Sequence, residues 1–140
     1  ALLGGVALHA GLFTNATDLM KLMQLYLDGG VHNNKYLLSE KTLSKFTDAP
    51  FSHLGNRRGI VFDKPSIDPA EDGPTCDSIS LESFGHSGWT GTIAWADPEE
   101  DIVYIFLSNG RAFPDGNNMR LVKENIRTDI QKIIYNSIID

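Results

Sequence analysis

Thr90-Gly91-Thr92-Ile93-Ala94-Trp95-Ala96-Asp97-Pro98-Glu99-Glu100-Asp101-Ile102-Val103-Tyr104-Ile105-Phe106-Leu107 is the stretch that decides the fold. Its two ends are rich in Ile, Val, Tyr, Phe and Trp, which suit a pleated, packed surface, and the Asp-Pro-Glu-Glu-Asp run between them is turn chemistry. The spacing predicts a β-hairpin with arms Thr90 to Ala96 and Ile102 to Leu107. The second arm is apolar at every position rather than at alternate ones, so both faces of its sheet should be covered.

Just upstream stands Phe84-Gly85-His86-Ser87-Gly88-Trp89-Thr90-Gly91-Thr92, with three glycines, a histidine and three hydroxyl side chains. Glycine inside a strand pattern marks a close approach of something to bare backbone. Downstream, residues 117 to 139 read as a helix, with Val122, Ile126, Ile130, Ile133, Ile134 and Ile138 as the stripe that would cover one sheet face. Residues 15 to 30 read as another helix, capped by Thr14 or Asn15, carrying Leu19, Leu22, Met23, Tyr26 and Leu27 on one side and stopped by Gly29-Gly30. A shorter one runs from an N-cap at Ser39 to about Thr47, with Leu43 and Phe46 inward. Ile60-Val61-Phe62 is a strand candidate, and Asp63 to Ser83, with Pro65, Pro69, Gly73 and Pro74, is a long irregular loop. Trp89 and Trp95 are expected as core anchors, with the border of a pocket as the alternative place for Trp89. The whole is an α+β arrangement: an antiparallel sheet flanked by helices.

Composition narrows the function. The 140 residues, 41% hydrophobic and 21% charged, suit one globular unit. A formal charge of -6, with basic residues adjacent only at Arg57-Arg58, argues against nucleic acid as a partner. Cys76 is the single cysteine, so no intrachain disulfide forms, and His9, His32, His53 and His86 are scattered without ligand spacing. No metal and no cofactor is expected. The first thirteen residues, Ala1 to Phe13, carry no formal charge and no initiator Met, and their glycines break any membrane span. The expectation is a cut inside a larger protein, with residues 1–140 a partial domain.

Two motifs carry a family resemblance. Gly5-x-Ala7-x-His9-Ala10-Gly11-Leu12-Phe13-Thr14 before a capped helix, then Phe84-Gly85-His86-Ser87-Gly88-Trp89-Thr90-Gly91-Thr92 before a strand ending in Asp97-Pro98-Glu99, resemble the C-terminal part of the serine β-lactamase, penicillin-binding protein and esterase superfamily, nearest its class C-like branch. The most specific element is His86-x-Gly88-x-Thr90-Gly91, which corresponds to the Lys-Thr-Gly box with His in place of Lys. In such enzymes a Ser-x-x-Lys serine is acylated, a Tyr-x-Asn or Ser-x-Asn box assists proton transfer, and the third box lines the opposite wall. The resemblance gives His86 the place of the box's basic residue, Ser87 that of its hydroxyl, and Gly88 that of the glycine against which substrate lies. It makes the Trp89 N–H an oxyanion-hole donor.

The departures are as informative. No Ser-x-x-Lys, Tyr-x-Asn or Ser-x-Asn occurs in these residues; Thr42-Leu43-Ser44-Lys45 is the nearest miss. The nucleophile and its base are therefore expected upstream, in the remainder of the same domain, and this chain alone is expected not to catalyse acyl transfer. Gly85-His86-Ser87-Gly88-Trp89 fails as a nucleophile elbow, because its fifth residue is not Gly and it leads into a strand. Histidine titrates near neutrality, so this wall should hold substrate carboxylates less strongly than a lysine would. An ester or D-amino-acid peptide is favoured over a β-lactam as substrate. The alternative is an accessory or degenerate module, such as one fused to a family 3 β-N-acetylglucosaminidase. Asp97, Glu99, Glu100 and Asp101 read as turn residues rather than a glycosidase carboxylate pair. The resemblance implies a bacterial periplasm or cell envelope. Apolar surface around Leu2, Leu3, Leu12 and Phe13 is expected to be exposed or to meet another copy.

Overall fold

The structure, a computed structural model, describes residue 7 and residues 10–68, 73–110 and 120–138. Helix α1, Ala16–Leu27, starts where the Asn15 side chain accepts from the Asp18 N–H and ends before Gly29, whose φ of +63° only glycine adopts without cost. A miniature hairpin follows, with β1 Val31–His32 and β2 Lys35–Tyr36 joined through Asn33 and Asn34, both at positive φ as a tight primed turn requires. Helix α2, Glu40–Thr47, is capped by Ser39, which accepts from the Thr42 N–H.

Three strands form the main sheet in the order β3-β4-β5, all antiparallel. They are β3 Phe84–Ser87, β4 Ile93–Asp97 and β5 Ile102–Phe106. The hairpin of β4 and β5 is the one the sequence predicts, in the register Trp95 opposite Tyr104. Its first arm is shorter than expected. Thr90 and Gly91 belong to a turn, closed by Gly91 N–H to Gly88 carbonyl at 3.0 Å, and Gly91 takes φ +99°.

Both faces of the sheet are covered, as the unbroken apolar arm requires. On one face Phe84, Ala94, Ala96 and Val103 pack with Met23, Tyr26 and Leu27 of α1. On the other, Ile93, Trp95 and Tyr104 pack with Cys76 and Ile79 of the long loop and with Tyr135. Tyr135 ends helix α4, Ile126–Tyr135, which is separated from the short α3, Arg120–Lys123, at Asn125 with φ +51°.

The continuous terminal helix is thus corrected to two, with residues 111–119 and 139–140 outside the described region. The inward face is also corrected. Gln131 and Tyr135 are the buried positions of α4, whereas Ile133 is 65% exposed and Ile130, Ile134, Ile138 and Val122 are partly exposed. Gln131 Oε1 accepts the Cys76 N–H at 2.9 Å and Tyr135 bonds Asp97, so hydrogen bonds to buried groups, not apolar stripe alone, orient the helix.

Ile60-Val61-Phe62 is not a strand. Gly59 N–H bonds the Phe62 carbonyl at 2.8 Å, which places Ile60 and Val61 at an exposed turn tip between the bridged residues Arg58 and Asp63. Only Phe62 turns inward. Its ring meets Tyr26 and Phe84, each at a centroid distance of 5.1 Å, and such pairs contribute about 0.5–1.5 kcal/mol beyond burial.

Candidate functional site at the outer edge of strand β3

Phe62 fixes what lies beside β3. With its ring locked between α1 and Phe84, the next residue, Asp63, exchanges both main-chain hydrogen bonds with Gly85: N–H to carbonyl at 2.7 Å and the reverse at 3.1 Å. Gly85 therefore turns its main chain away from β4. By strand alternation Ser87 does the same, whereas the Gly88 N–H turns back to the Thr92 carbonyl at 2.7 Å. The outer edge of β3 is occupied at Gly85, and the main chain of Ser87 faces outward beyond it.

The glycines of the segment serve close packing. A Cβ on Gly85 would strike the Ala94 carbonyl and lie 2.5 Å from the Trp95 ring. One on Gly88 would meet only the Thr92 hydroxyl. Trp95 is fully buried, but Trp89 is 68% exposed at the corner of the 88–91 turn, which corrects its expected place in the core. A four-residue turn holds its side chain off the sheet.

His86 and Ser87 diverge across the sheet, His86 on the α1 side with Phe84 and Ser87 on the Trp95 side with Gly85. The His86 ring accordingly binds the Ser87 carbonyl, Nδ1 to O at 2.8 Å, and not its hydroxyl. Nε2 lies 3.2 Å from Arg58 Nη1. Arg58 in turn faces the buried Asp63 carboxylate, Nη2 to Oδ2 at 3.6 Å, while Arg57 Nη1 stands 2.6 Å from Oδ1. That second approach is an ion contact and not a hydrogen bond; Arg57 Nη1 donates to the Lys64 carbonyl at 3.1 Å. Beside it, Lys64 Nζ donates to the Glu82 carbonyl at 2.7 Å, and burial holds its ammonium below the ordinary lysine value.

The four residues singled out in the sequence are consecutive: His86 and Ser87 end β3, and Gly88 and Trp89 open the turn after it. Arg58 and Asp63 are the ones sequence reasoning missed. Their only signal is the adjacent pair Arg57-Arg58 in an otherwise acidic chain. A recess of about 440 Å³ lies elsewhere, lined among others by Tyr26, Leu43, Ser44, Lys64, Glu82 and Pro98 and by none of those four. It holds Leu43 and Ser44 of the near-miss Thr42-Leu43-Ser44-Lys45 on the structural helix α2. Among the described residues no group of three His, Cys, Asp or Glu is placed to hold a metal ion, and no helix is long and apolar enough to cross a membrane.

The sequence of this chain, folded as an antiparallel sheet packed on helices, matches a known family. The beta-lactamase family model covers residues 3–125. This chain belongs to the beta-lactamase family. Among curated proteins, it is 37% identical over 120 residues to "Putative D-alanyl-D-alanine carboxypeptidase" of Salmonella paratyphi B (strain ATCC BAA-1250 / SPB7), and equally to the protein of that name from Salmonella newport (strain SL254). Each alignment takes in 82% of this chain but only 26% of the relative. This beta-lactamase-family chain thus spans about a quarter of the length of the curated relatives it matches.

Proposed function

We propose that the chain supplies the third-box wall of a serine hydrolase that transfers an acyl group through an acyl-enzyme, and that it does not acylate by itself. The observation that carries this reading is the outward main chain of Ser87 on β3, next to the point where Asp63 stops covering the edge. A substrate laid along that edge would meet Ser87 and Gly88. The Trp89 N–H would then donate to the developing oxyanion, a contribution whose loss typically lowers rate on the order of a hundredfold or more. His86 takes the place of the box's basic residue and Ser87 that of its hydroxyl.

Neither Ser87 nor any other serine here has the Ser-x-x-Lys partner that would activate it. The nucleophile and base come from the remainder of the domain, which is the principal partner in this reading. The similarity to proteins named as D-alanyl-D-alanine carboxypeptidases favours a D-amino-acid peptide among the ester, peptide and β-lactam candidates, and a bacterial periplasm or cell envelope as the place of work.

The deciding experiment is intact-mass detection of an acyl adduct after incubation with an activated ester and with a chromogenic cephalosporin. The 140-residue chain should remain unmodified, and a polypeptide extended upstream through Ser-x-x-Lys and Tyr-x-Asn boxes should acquire the adduct. Turnover by the short chain that Ser87→Ala abolishes would overturn the reading. An extended polypeptide that lacks those boxes and stays unmodified would make this a degenerate module.

A further inference from the structure

Of the two groups bonded to the His86 ring, one can only donate and the other can only accept. A guanidinium has five N–H donors and no acceptor, so Arg58 Nη1, 3.2 Å from Nε2, requires a lone pair on that nitrogen. A carbonyl oxygen only accepts, so the Ser87 oxygen, 2.8 Å from Nδ1, requires a hydrogen there. A single tautomer meets both demands, with hydrogen on Nδ1 and the lone pair on Nε2.

We propose that Arg58 is the positioning residue of this box: it occupies the Nε2 lone pair, fixes His86 as the Nδ1–H tautomer, and is itself the cation that this wall presents. The inference rests on the third-box reading of His86, but its geometry does not depend on catalysis. Arg58 and His86 are 28 positions apart in sequence, and three contacts bring them together. Phe62 seats the 59–62 turn against Tyr26 and Phe84. Asp63 then pairs with Gly85, one residue before His86. Finally the buried Asp63 carboxylate draws in both Arg57 and Arg58, so the guanidinium that reaches His86 is itself held from behind.

The consequence is a division of labour that a lysine in the same place would not need. Lysine would carry the box's charge on its own flexible stem. Here a ring tied to the Ser87 carbonyl is held in place, and the charge sits beyond it, on the planar Arg58 guanidinium. With Nε2 engaged, the ring is not available to take a proton from substrate or nucleophile while the contact holds. His86 is then a fixed spacer and not a base.

The test is the ring tautomer, read by long-range proton–nitrogen NMR on the 15N-labelled 140-residue chain at a pH about two units above the ordinary histidine value of roughly 6.5. His86→Gln identifies the His86 signals by their loss. The wild-type ring should show one protonated nitrogen, Nδ1, and a bare Nε2. Arg58→Ala should release it to a mixture that includes the Nε2–H form; Arg58→Lys, which still donates, should restore the Nδ1–H form. Replacing Arg57, whose guanidinium meets the Asp63 carboxylate and the Lys64 carbonyl but not the ring, by Ala should leave the ring as in wild type. The Arg58 side chain is more than half exposed, so its replacement should leave backbone signals away from β3 unmoved. A wild-type ring already carrying hydrogen on Nε2, or an Arg58→Ala ring still locked as Nδ1–H, would overturn the proposal. No acyl transfer is read, so failure of the serine-hydrolase reading and failure of this one are separable.

Discussion

Tyr135 donates its hydroxyl hydrogen to Asp97 Oδ2 across 2.7 Å, tying the end of the last helix to the end of β4 inside the core. Burial alone would push the Asp97 carboxyl up. The Ser80 hydroxyl and N–H, Tyr135 and the Glu99 N–H outweigh it, and the group lies below the usual carboxylate value. Tyr135 is moved the other way, first by burial and then by the carboxylate it faces, well above the ordinary phenol value. For Asp97 the folded value is depressed, so its stabilisation is present above about pH 4 and is lost as pH falls through the folded value. For Tyr135 the folded value is raised, so its stabilisation is present below about pH 10 and is lost as pH rises beyond it. Tyr135→Phe should cost about 1.5–3 kcal/mol near neutrality, the range for a hydrogen bond to a charged group. Thermal unfolding from pH 3 to pH 11 checks this. The variant should lose part of the acid-side slope and the alkaline-side slope, and curves that stay parallel to wild type would refute the assignment.

The same helix shows why the sequence was legible in some places and not in others. Asn15 and Ser39 announce α1 and α2 because a cap is a local event, decided within three residues. The β4–β5 hairpin is legible for the same reason, since its turn lies between its own arms. An apolar stripe, by contrast, states that a helix has a face and not what stands opposite. On α4 the groups opposite are Asp97 and the Cys76 N–H, so Tyr135 and Gln131 turn inward and Ile133 does not. Ile60 and Val61 mislead similarly, because β-branched residues suit a strand while Gly59 and Phe62 close a turn around them. In the candidate site, His86, Ser87 and Gly88 were legible as one run. Arg58 was not, because the Asp63–Gly85 pairing that delivers it is a contact across the chain with no local signature.

Gly85 and Gly88 should respond differently to the same added methyl. At Gly85 it would strike the Ala94 backbone and the buried Trp95 ring, neither of which can swing aside, so Gly85→Ala should cost about 1–3 kcal/mol and alter the near-ultraviolet circular dichroism of Trp95. At Gly88 the obstacle is the Thr92 hydroxyl, the far end of a side chain that can rotate. Gly88→Ala should stay within about 0.5 kcal/mol of wild type. Equal losses in urea unfolding would mean that the segment is not packed as described.

The two tryptophans separate in the same way. Trp95→Ala removes a fully buried ring at the centre of the core and should cost about 3–5 kcal/mol. Trp89→Ala, at the exposed turn corner, should cost far less. Iodide quenching of each single-tryptophan variant provides an independent check: Trp95→Phe should leave strongly quenched emission and Trp89→Phe emission that is protected.

Phe13 is 93% exposed and Leu12 71%, side by side immediately before α1. Leu2 and Leu3, expected in the same apolar patch, lie outside the described residues. Met20 and Leu22 on α1 are also about half exposed, but two positions apart on a helix they face different sides, so Leu12 and Phe13 are the adjacent exposed pair. Exposed apolar side chains such as these favour association, because covering one Leu or Phe side chain is worth about 1.5–3 kcal/mol. The chain should therefore self-associate when no other surface covers it, with a weight-average mass in sedimentation that rises with concentration. Replacing Leu12 and Phe13 together by serine should weaken the association tenfold or more, since each 1.4 kcal/mol corresponds to about a factor of ten. If this chain is one wall of a larger domain, as proposed above, a polypeptide extended upstream should lose the concentration dependence without any substitution. A short chain that remains monomeric throughout, or a serine variant that associates as strongly as wild type, would show that this surface is not the one that seeks a partner.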